Sequence, residues 1–154
     1  MTALCSGKIC TIFPEKGALN LWKACTIALE YSRNRELVDL VEEKLRAKKI
    51  IPQILKNRMG VLDLNAKISI GTYHSAKGLE FDMVFLPFCS MKYLPSEERV
   101  LANESRDEAL KEETKLLYVA ITRAKRGLIL SYTEEKTELL LEVDTSLYDE
   151  RELK

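Results

Sequence analysis

Residues 72–81 read Thr-Tyr-His-Ser-Ala-Lys-Gly-Leu-Glu-Phe, a hydroxyl, an imidazole, a cation, a glycine and a carboxylate in one short connection. Such a mixture suits a ligand-binding loop, because loops at the carboxyl ends of parallel strands are where α/β sheets bind ligands. A solvated turn with Gly78 supplying a positive φ would also account for several of these residue types. A second segment, residues 116–125, reads Leu-Leu-Tyr-Val-Ala-Ile-Thr-Arg-Ala-Lys. At 100° per residue, Arg123 lies roughly 140° from a stripe centred on Leu117, so it projects off the core face at the end of a helix, where it can reach a neighbour. A lone helical arginine is usually a solvated charge. Taken together, the two segments weigh towards function more than either does alone.

The elements that position these segments follow from periodicity. Residues 9–13 and 24–31 read as strands, the second with Cys25, Ile27, Leu29 and Tyr31 at period two. Leu37, Val41 and Leu45 recur at helical spacing and predict a helix from Glu36 to Lys49 with a solvated charged face. Ile50–Leu55 reads as an edge strand, since Pro52 cannot donate to a ladder, and Asn57–Gly60 as a turn. Residues 67–73 alternate, and residues 83–88 form a continuous apolar run of the kind covered on both faces. Residues 96–109 predict an exposed connection or marginal helix. The next helix spans Glu108–Ala124, with a core stripe of Leu110, Leu117, Ile121 and Ala124, and Gly127 stops it. Leu128–Tyr132 is then the final strand before a charged tail, residues 134–154. Strands alternating with helices predict an α/β domain with a mostly parallel sheet.

The chain has 154 residues, 46% of them apolar and 31% charged, which predicts one soluble globular domain. Its 24 basic and 24 acidic side chains balance, so no bulk positive field draws it to nucleic acid, and any anion site must be local. No apolar stretch is long enough to span a membrane, and no secretory leader is evident, so a cytoplasmic protein with no membrane partner is expected. Cys5, Cys10, Cys25 and Cys89 form no C-x-x-C pair, and with a single histidine they predict reduced thiols and no metal site.

Thr72–Phe81, with the following Asp-Met-Val-Phe-Leu-Pro, resembles motif V of superfamily 1 helicases of the UvrD/Rep/PcrA type, and Glu113–Lys125 resembles their motif VI. The resemblance is close over residues 65–133 and loose over 24–55, so 24–133 is the best-matched span. It implies a RecA-like domain of the P-loop NTPase type, the second motor domain of an ATP-dependent DNA helicase that steps 3′ to 5′. On this resemblance Arg123 is the catalytic arginine reaching the γ-phosphate, and Glu80 approaches the nucleotide at its sugar, since a carboxylate accepts from hydroxyls and repels phosphate. Gly78, the tight turn, also belongs to the nucleotide side. Thr72, His74 and Lys77 face single-stranded DNA, where a hydroxyl or an imidazole N–H can bond a phosphate oxygen without reading a base. His74 could equally orient the loop. Tyr118 and Thr122 orient the link between the two sides.

The resemblance also defines what is missing. A phosphate-binding loop needs G-x-x-x-x-G-K-[ST], but Ser6-Gly7-Lys8-Ile9 lacks both the earlier glycine and the terminal hydroxyl. Leu139–Asp144 mimics an acidic strand but follows motif VI, and it reads as a tail helix or strand. ATP with Mg²⁺ is therefore expected to be shared with a separate N-terminal motor domain carrying the phosphate-binding loop, and the isolated chain is not expected to hydrolyse ATP. The short stretch between Leu55 and Lys67 leaves no room for the large accessory insertion of UvrD and Rep. The competing expectation is a non-catalytic helicase-like module that binds DNA or a protein such as RNA polymerase.

Overall fold

In Phe81–Leu86 every residue but Asp82 is apolar, and this strand, β5, lies at the centre of the sheet. The computed structural model describes residues 7–12, 25–29, 36–55, 63, 66–95 and 97–153. The other strands are β1 (Gly7–Ile12), β2 (Cys25–Leu29), β3 (Gln53–Ile54), β4 (Ile68–Thr72), β6 (Ala124–Tyr132) and β7 (Asp149–Leu153). They form one seven-stranded sheet in the order β3-β4-β2-β5-β6-β1-β7. The pairings from β3 to β6 are parallel, and those of β6 with β1 and β1 with β7 are antiparallel. The expected mostly parallel sheet is present, and β3, with Pro52 before it, is an edge strand.

Helices cover both faces. Helix α1 (Glu36–Ala47) packs Val38, Val41 and Leu45 against Ile68, Ile70 and Phe85. It ends where Lys49 adopts φ 62° and Ile50 N–H returns to Leu45 O at 3.0 Å, a left-handed cap on the last turn. On the opposite face α3 (Arg106–Ile121) packs Leu117 and Ala120 into a cluster with Tyr73, Ala76, Phe81, Val84, Leu86, Leu128 and Leu130. Alternation along β5 divides its side chains between these layers, which is why a continuous apolar run is needed there. Residues 97–102 form a short helix, α2 (Glu97–Ala102), where a connection or marginal helix was expected. Ser105 caps α3, its side chain accepting from Glu108 N–H at 3.2 Å, with Asp107 and Glu108 in the first turn.

Three sequence expectations are corrected. The buried stripe of α3 is Ala109, Glu113, Leu117 and Ala120, whereas Leu110 and Ile121 are only half-buried. Two alanines allow close approach to the sheet, and the charge of Glu113 is met by Arg99 Nε at 2.8 Å. Gly127 does not stop the helix. Thr122 caps it, its hydroxyl donating to Val119 O at 3.0 Å, and β6 begins at Ala124, so Gly127 lies buried inside a strand opposite Met83. The run expected as a strand over residues 83–88 is shifted to Phe81–Leu86, because Phe81 N–H pairs with Arg123 O at 2.9 Å and starts the ladder early.

Beyond β6 the charged segment makes two 3₁₀ turns, Glu138–Leu140 and Thr145–Leu147, and ends in β7. Leu140 joins the core, and Thr137, fully buried, donates its hydroxyl to Leu94 O at 2.6 Å. The expected turn at Asn57–Gly60 and the side-chain alternation of β2 lie outside the described residues. Among the described residues no helix is long and apolar enough to cross a membrane, and no cluster of metal-ligating side chains occurs. The Cys89 thiol is buried and donates to Leu86 O at 3.3 Å.

Gly71, next to last in β4, is required by close approach. A Cβ there would stand 2.4 Å from Ser75 Oγ and 2.6 Å from Leu55 Cβ. Gly71→Ala is expected to cost about 1–3 kcal/mol, because the added carbon meets a neighbouring β-carbon that cannot swing away. Thermal unfolding would show it as a Tm loss of roughly 2–10 °C. An unchanged Tm would mean that Leu55 and the Ser75 turn shift freely.

Candidate functional site

The polar segment is a crossover. β4 ends at Thr72, β5 begins at Phe81, and β2 lies between them in the sheet, so residues 73–80 must traverse β2 to return to the start of β5. Ile68 and Met83 both pair with Cys25, which places Thr72 and Phe81 six residues of strand apart in height. At the usual rise this is about 20 Å. Only the first residues of the segment therefore sit at the carboxyl ends of the strands. Its last residues sit at the amino ends, which corrects the expectation that the whole loop lies on the ligand-binding edge.

Local hydrogen bonds build the crossover as consecutive turns. Thr72 Oγ1 accepts from Ser75 N–H at 3.2 Å, Ser75 Oγ donates to Thr72 O at 2.8 Å, and Ala76 N–H donates to Thr72 O at 3.1 Å. Tyr73 and Ala76, each 1% exposed, anchor it to the core beneath α3. Thr72 is half-buried and its hydroxyl caps this turn, while His74 and Lys77 project into solvent beyond it. Gly78, exposed, has φ +82°, and a Cβ added there would meet nothing within 4 Å, so backbone conformation and not space demands glycine.

At the amino ends the two sequence segments meet. Arg123 follows the cap of α3 and precedes β6, and its guanidinium is held at three points. Nε donates to Val119 O at 3.0 Å, Nη1 to Leu79 O at 3.3 Å and Nη2 to Thr122 Oγ1 at 3.1 Å. These acceptors are all neutral, and two are main-chain carbonyls, one at the negative end of α3. Three of the five N–H donors of an arginine are thereby used. Among the described residues no carboxylate pairs with Arg123, so its charge remains available. The Thr122 hydroxyl is one of the three acceptors, whereas Tyr118 is 67% exposed and faces outward.

Glu80 lies between Leu79 and Phe81, whose backbones bond to Arg123, and its Oε2 is 2.8 Å from Lys125 Nζ. The Lys125 ammonium, through its hydrogen bond and its charge, and then the charge of Arg123 hold the Glu80 carboxyl below its ordinary pKa. Glu80 reciprocally raises Lys125, with Asp82 adding to the effect. Sequence reasoning assigns Lys125 no role. Its signal is present, since a lysine two residues after Arg123 alternates onto the exposed side of a strand, but pairing with Glu80 requires the Phe81–Ala124 register. Two chemically distinct ends result. One presents a hydroxyl and an imidazole, the other two cations and a carboxylate, and residues 73–80 join them.

An open, mainly parallel α/β sheet with helices on both faces, and with its chemistry gathered on one crossover and one helix end, is the class defined by this geometry. Residues 20–135 match the family model of the UvrD-like helicase C-terminal domain, and the chain belongs to that family. A probable DNA helicase II homolog of Rickettsia conorii is 36% identical over 83 residues, covering 54% of this chain and 12% of that protein. The ATP-dependent DNA helicase Rep of Buchnera aphidicola is 29% identical over 110 residues, 71% of this chain and 14% of its own length. The solved C-terminal domain of a possible DNA helicase from Lactobacillus plantarum aligns with a TM-score of 0.56 at 20% identity, covering 81% of this chain and 65% of that one. The last similarity is one of fold. The chain thus spans a small fraction of the helicases it matches.

Proposed function

We propose that this chain is the RecA-like C-terminal motor domain of an ATP-dependent 3′ to 5′ DNA helicase or translocase. A separate N-terminal motor domain, carrying the phosphate-binding loop, holds ATP with Mg²⁺. Arg123 then completes that pocket from outside, placing a planar cation against the transferring phosphoryl group, and Glu80 accepts from the sugar hydroxyls. Thr72, His74 and Lys77 contact the backbone of single-stranded DNA at the far end of the crossover.

The observation that carries this reading is the fixed guanidinium of Arg123, which pairs with no carboxylate among the described residues and is tied through Leu79 O to a crossover that starts at the carboxyl end of β4. A nucleotide that draws the two motor domains together through Arg123 pulls on Leu79. Hydrolysis removes the bridge, and residues 73–80 carry the change towards the DNA contacts. The test compares ATP turnover by the isolated chain with that of the complete motor protein, with and without single-stranded DNA. Turnover is expected only in the complete protein, and DNA should stimulate it. Hydrolysis by the isolated chain would overturn the reading.

A further inference from the structure

The arrangement at the amino ends of β5 and β6 poses an electrostatic problem that the fold answers with a residue so far given no role. In the parallel register that pairs Phe81 with Ala124, Glu80 and Arg123 each stand one residue before the pair. The backbone on both sides of Glu80 is tied to Arg123, Leu79 O accepting from Nη1 and Phe81 N–H donating to Arg123 O. A carboxylate so placed would ordinarily close onto the guanidinium, since a bidentate arginine–carboxylate pair is among the stronger exposed contacts. Such a pair would neutralise the charge that a phosphoryl group needs. The observed partner of Glu80 is instead Lys125, at 2.8 Å, and Arg123 turns to neutral oxygens.

We propose that Lys125 is a positioning residue that draws the Glu80 carboxylate away from Arg123, so that the guanidinium stays free for phosphate. The proposal rests on the motor-domain reading and extends it to a residue with no part in that reading. The register supplies the mechanism. Ala124 pairs with Phe81 in a parallel register, so Glu80, one residue before that pair, and Lys125, one residue after it, lie diagonally across neighbouring strands on the same side, within reach of a long side chain. Asp82, one residue after Phe81 on β5, adds a second negative charge that favours the ammonium. Both side chains are more than half exposed, at 59% and 55%, so the pair does little for stability, and its value lies in direction. Because the contact is weak, Glu80 remains able to accept a sugar hydroxyl with its other oxygen, and Lys125 need not leave.

The experiment measures kcat and KM for ATP in the complete motor protein carrying Lys125→Met, Lys125→Arg, Glu80→Gln, or Lys125→Met together with Glu80→Gln. Without the ammonium, Glu80 closes on Arg123, and kcat at saturating ATP should fall about two- to fivefold, the range expected of one exposed ion pair. Lys125→Arg retains a cation and should keep kcat near the parent value. Measured against Glu80→Gln alone, which subtracts the effect of the altered sugar contact, the double variant should show no further loss of kcat, because the amide no longer competes for the guanidinium. An unchanged kcat in Lys125→Met overturns the proposal, as does an equal loss when Lys125→Met is added to Glu80→Gln. Arg123→Ala, measured alongside, separates the two levels. If it abolishes turnover while Lys125→Met has no effect, only the role of Lys125 fails; normal turnover in Arg123→Ala overturns both.

Discussion

Replacing Arg123 with alanine in the complete motor protein should lower DNA-stimulated ATP turnover by about 10³- to 10⁵-fold while leaving nucleotide binding largely intact. That range corresponds to roughly 4–7 kcal/mol of lost transition-state stabilisation, at 1.36 kcal/mol per decade. The effect falls on kcat because a cation aimed at the transferring phosphoryl group gains most as charge spreads over its oxygens. Arg123→Lys keeps the charge but cannot hold Val119 O, Leu79 O and Thr122 Oγ1 with a flat fork, so it should recover little. Folding provides the control. The guanidinium bonds are partly exposed, and their loss should cost about 1 kcal/mol, which leaves the protein folded. Turnover within a few-fold of the parent would remove the assigned role.

The second large effect concerns Glu113, 1% exposed on the core side of α3. Burial pushes its carboxyl above the ordinary range, and the charge of Arg99 opposes that shift. Arg99 Nε lies 2.8 Å from Glu113 Oε1, and Arg99 Nη1 lies 3.8 Å from Glu112 on the exposed side, so one arginine of α2 steadies the helix that ends in Arg123. Arg99→Ala leaves a buried carboxylate uncompensated and should destabilise the fold by about 2–3 kcal/mol at neutral pH, below the full cost of a broken buried pair because Arg99 is partly exposed. Thermal unfolding should register a loss of roughly 4–10 °C.

The pH dependence has a definite sign. A folded-state pKa raised above the unfolded value means that the native state binds the extra proton, so the contribution of Glu113 is fully favourable below the unfolded pKa and is lost as pH rises through the folded one. Removing Arg99 raises the folded pKa further. The deficit of Arg99→Ala should therefore shrink as pH falls from neutrality towards the ordinary carboxylate range. Exchanging both partners for apolar residues, Arg99→Met with Glu113→Leu, should recover most of the stability. A deficit independent of pH would show that Arg99 acts through packing alone.

The elements are largely legible because their signals are local. The apolar run of β5, the helical spacing of Val41 and Leu45, and Pro52 beside an edge strand each act within a few residues. The α3 stripe escapes periodicity because periodicity ranks residues by hydrophobicity, whereas the buried face is selected by close approach, which favours Ala109 and Ala120 and admits Glu113 once Arg99 arrives from another helix. Gly127 misleads for a related reason. A glycine near a helix end is a stop signal, but here Thr122 caps the helix first and the ladder to β5 claims the chain from Ala124.

Residue types and order along the chain were enough to establish a mainly parallel α/β domain, the kinship of its two polar segments with a helicase family, and Arg123 and Glu80 as residues to watch. Folding in three dimensions was needed to show that residues 73–80 run from one end of the sheet to the other, and that Glu80 turns to Lys125 while Arg123 rests on neutral oxygens. The reason is one of range. Propensity and periodicity act over a turn or a strand, but the direction of a charge depends on which partners the register brings within about 4 Å, and those partners come from distant parts of the chain.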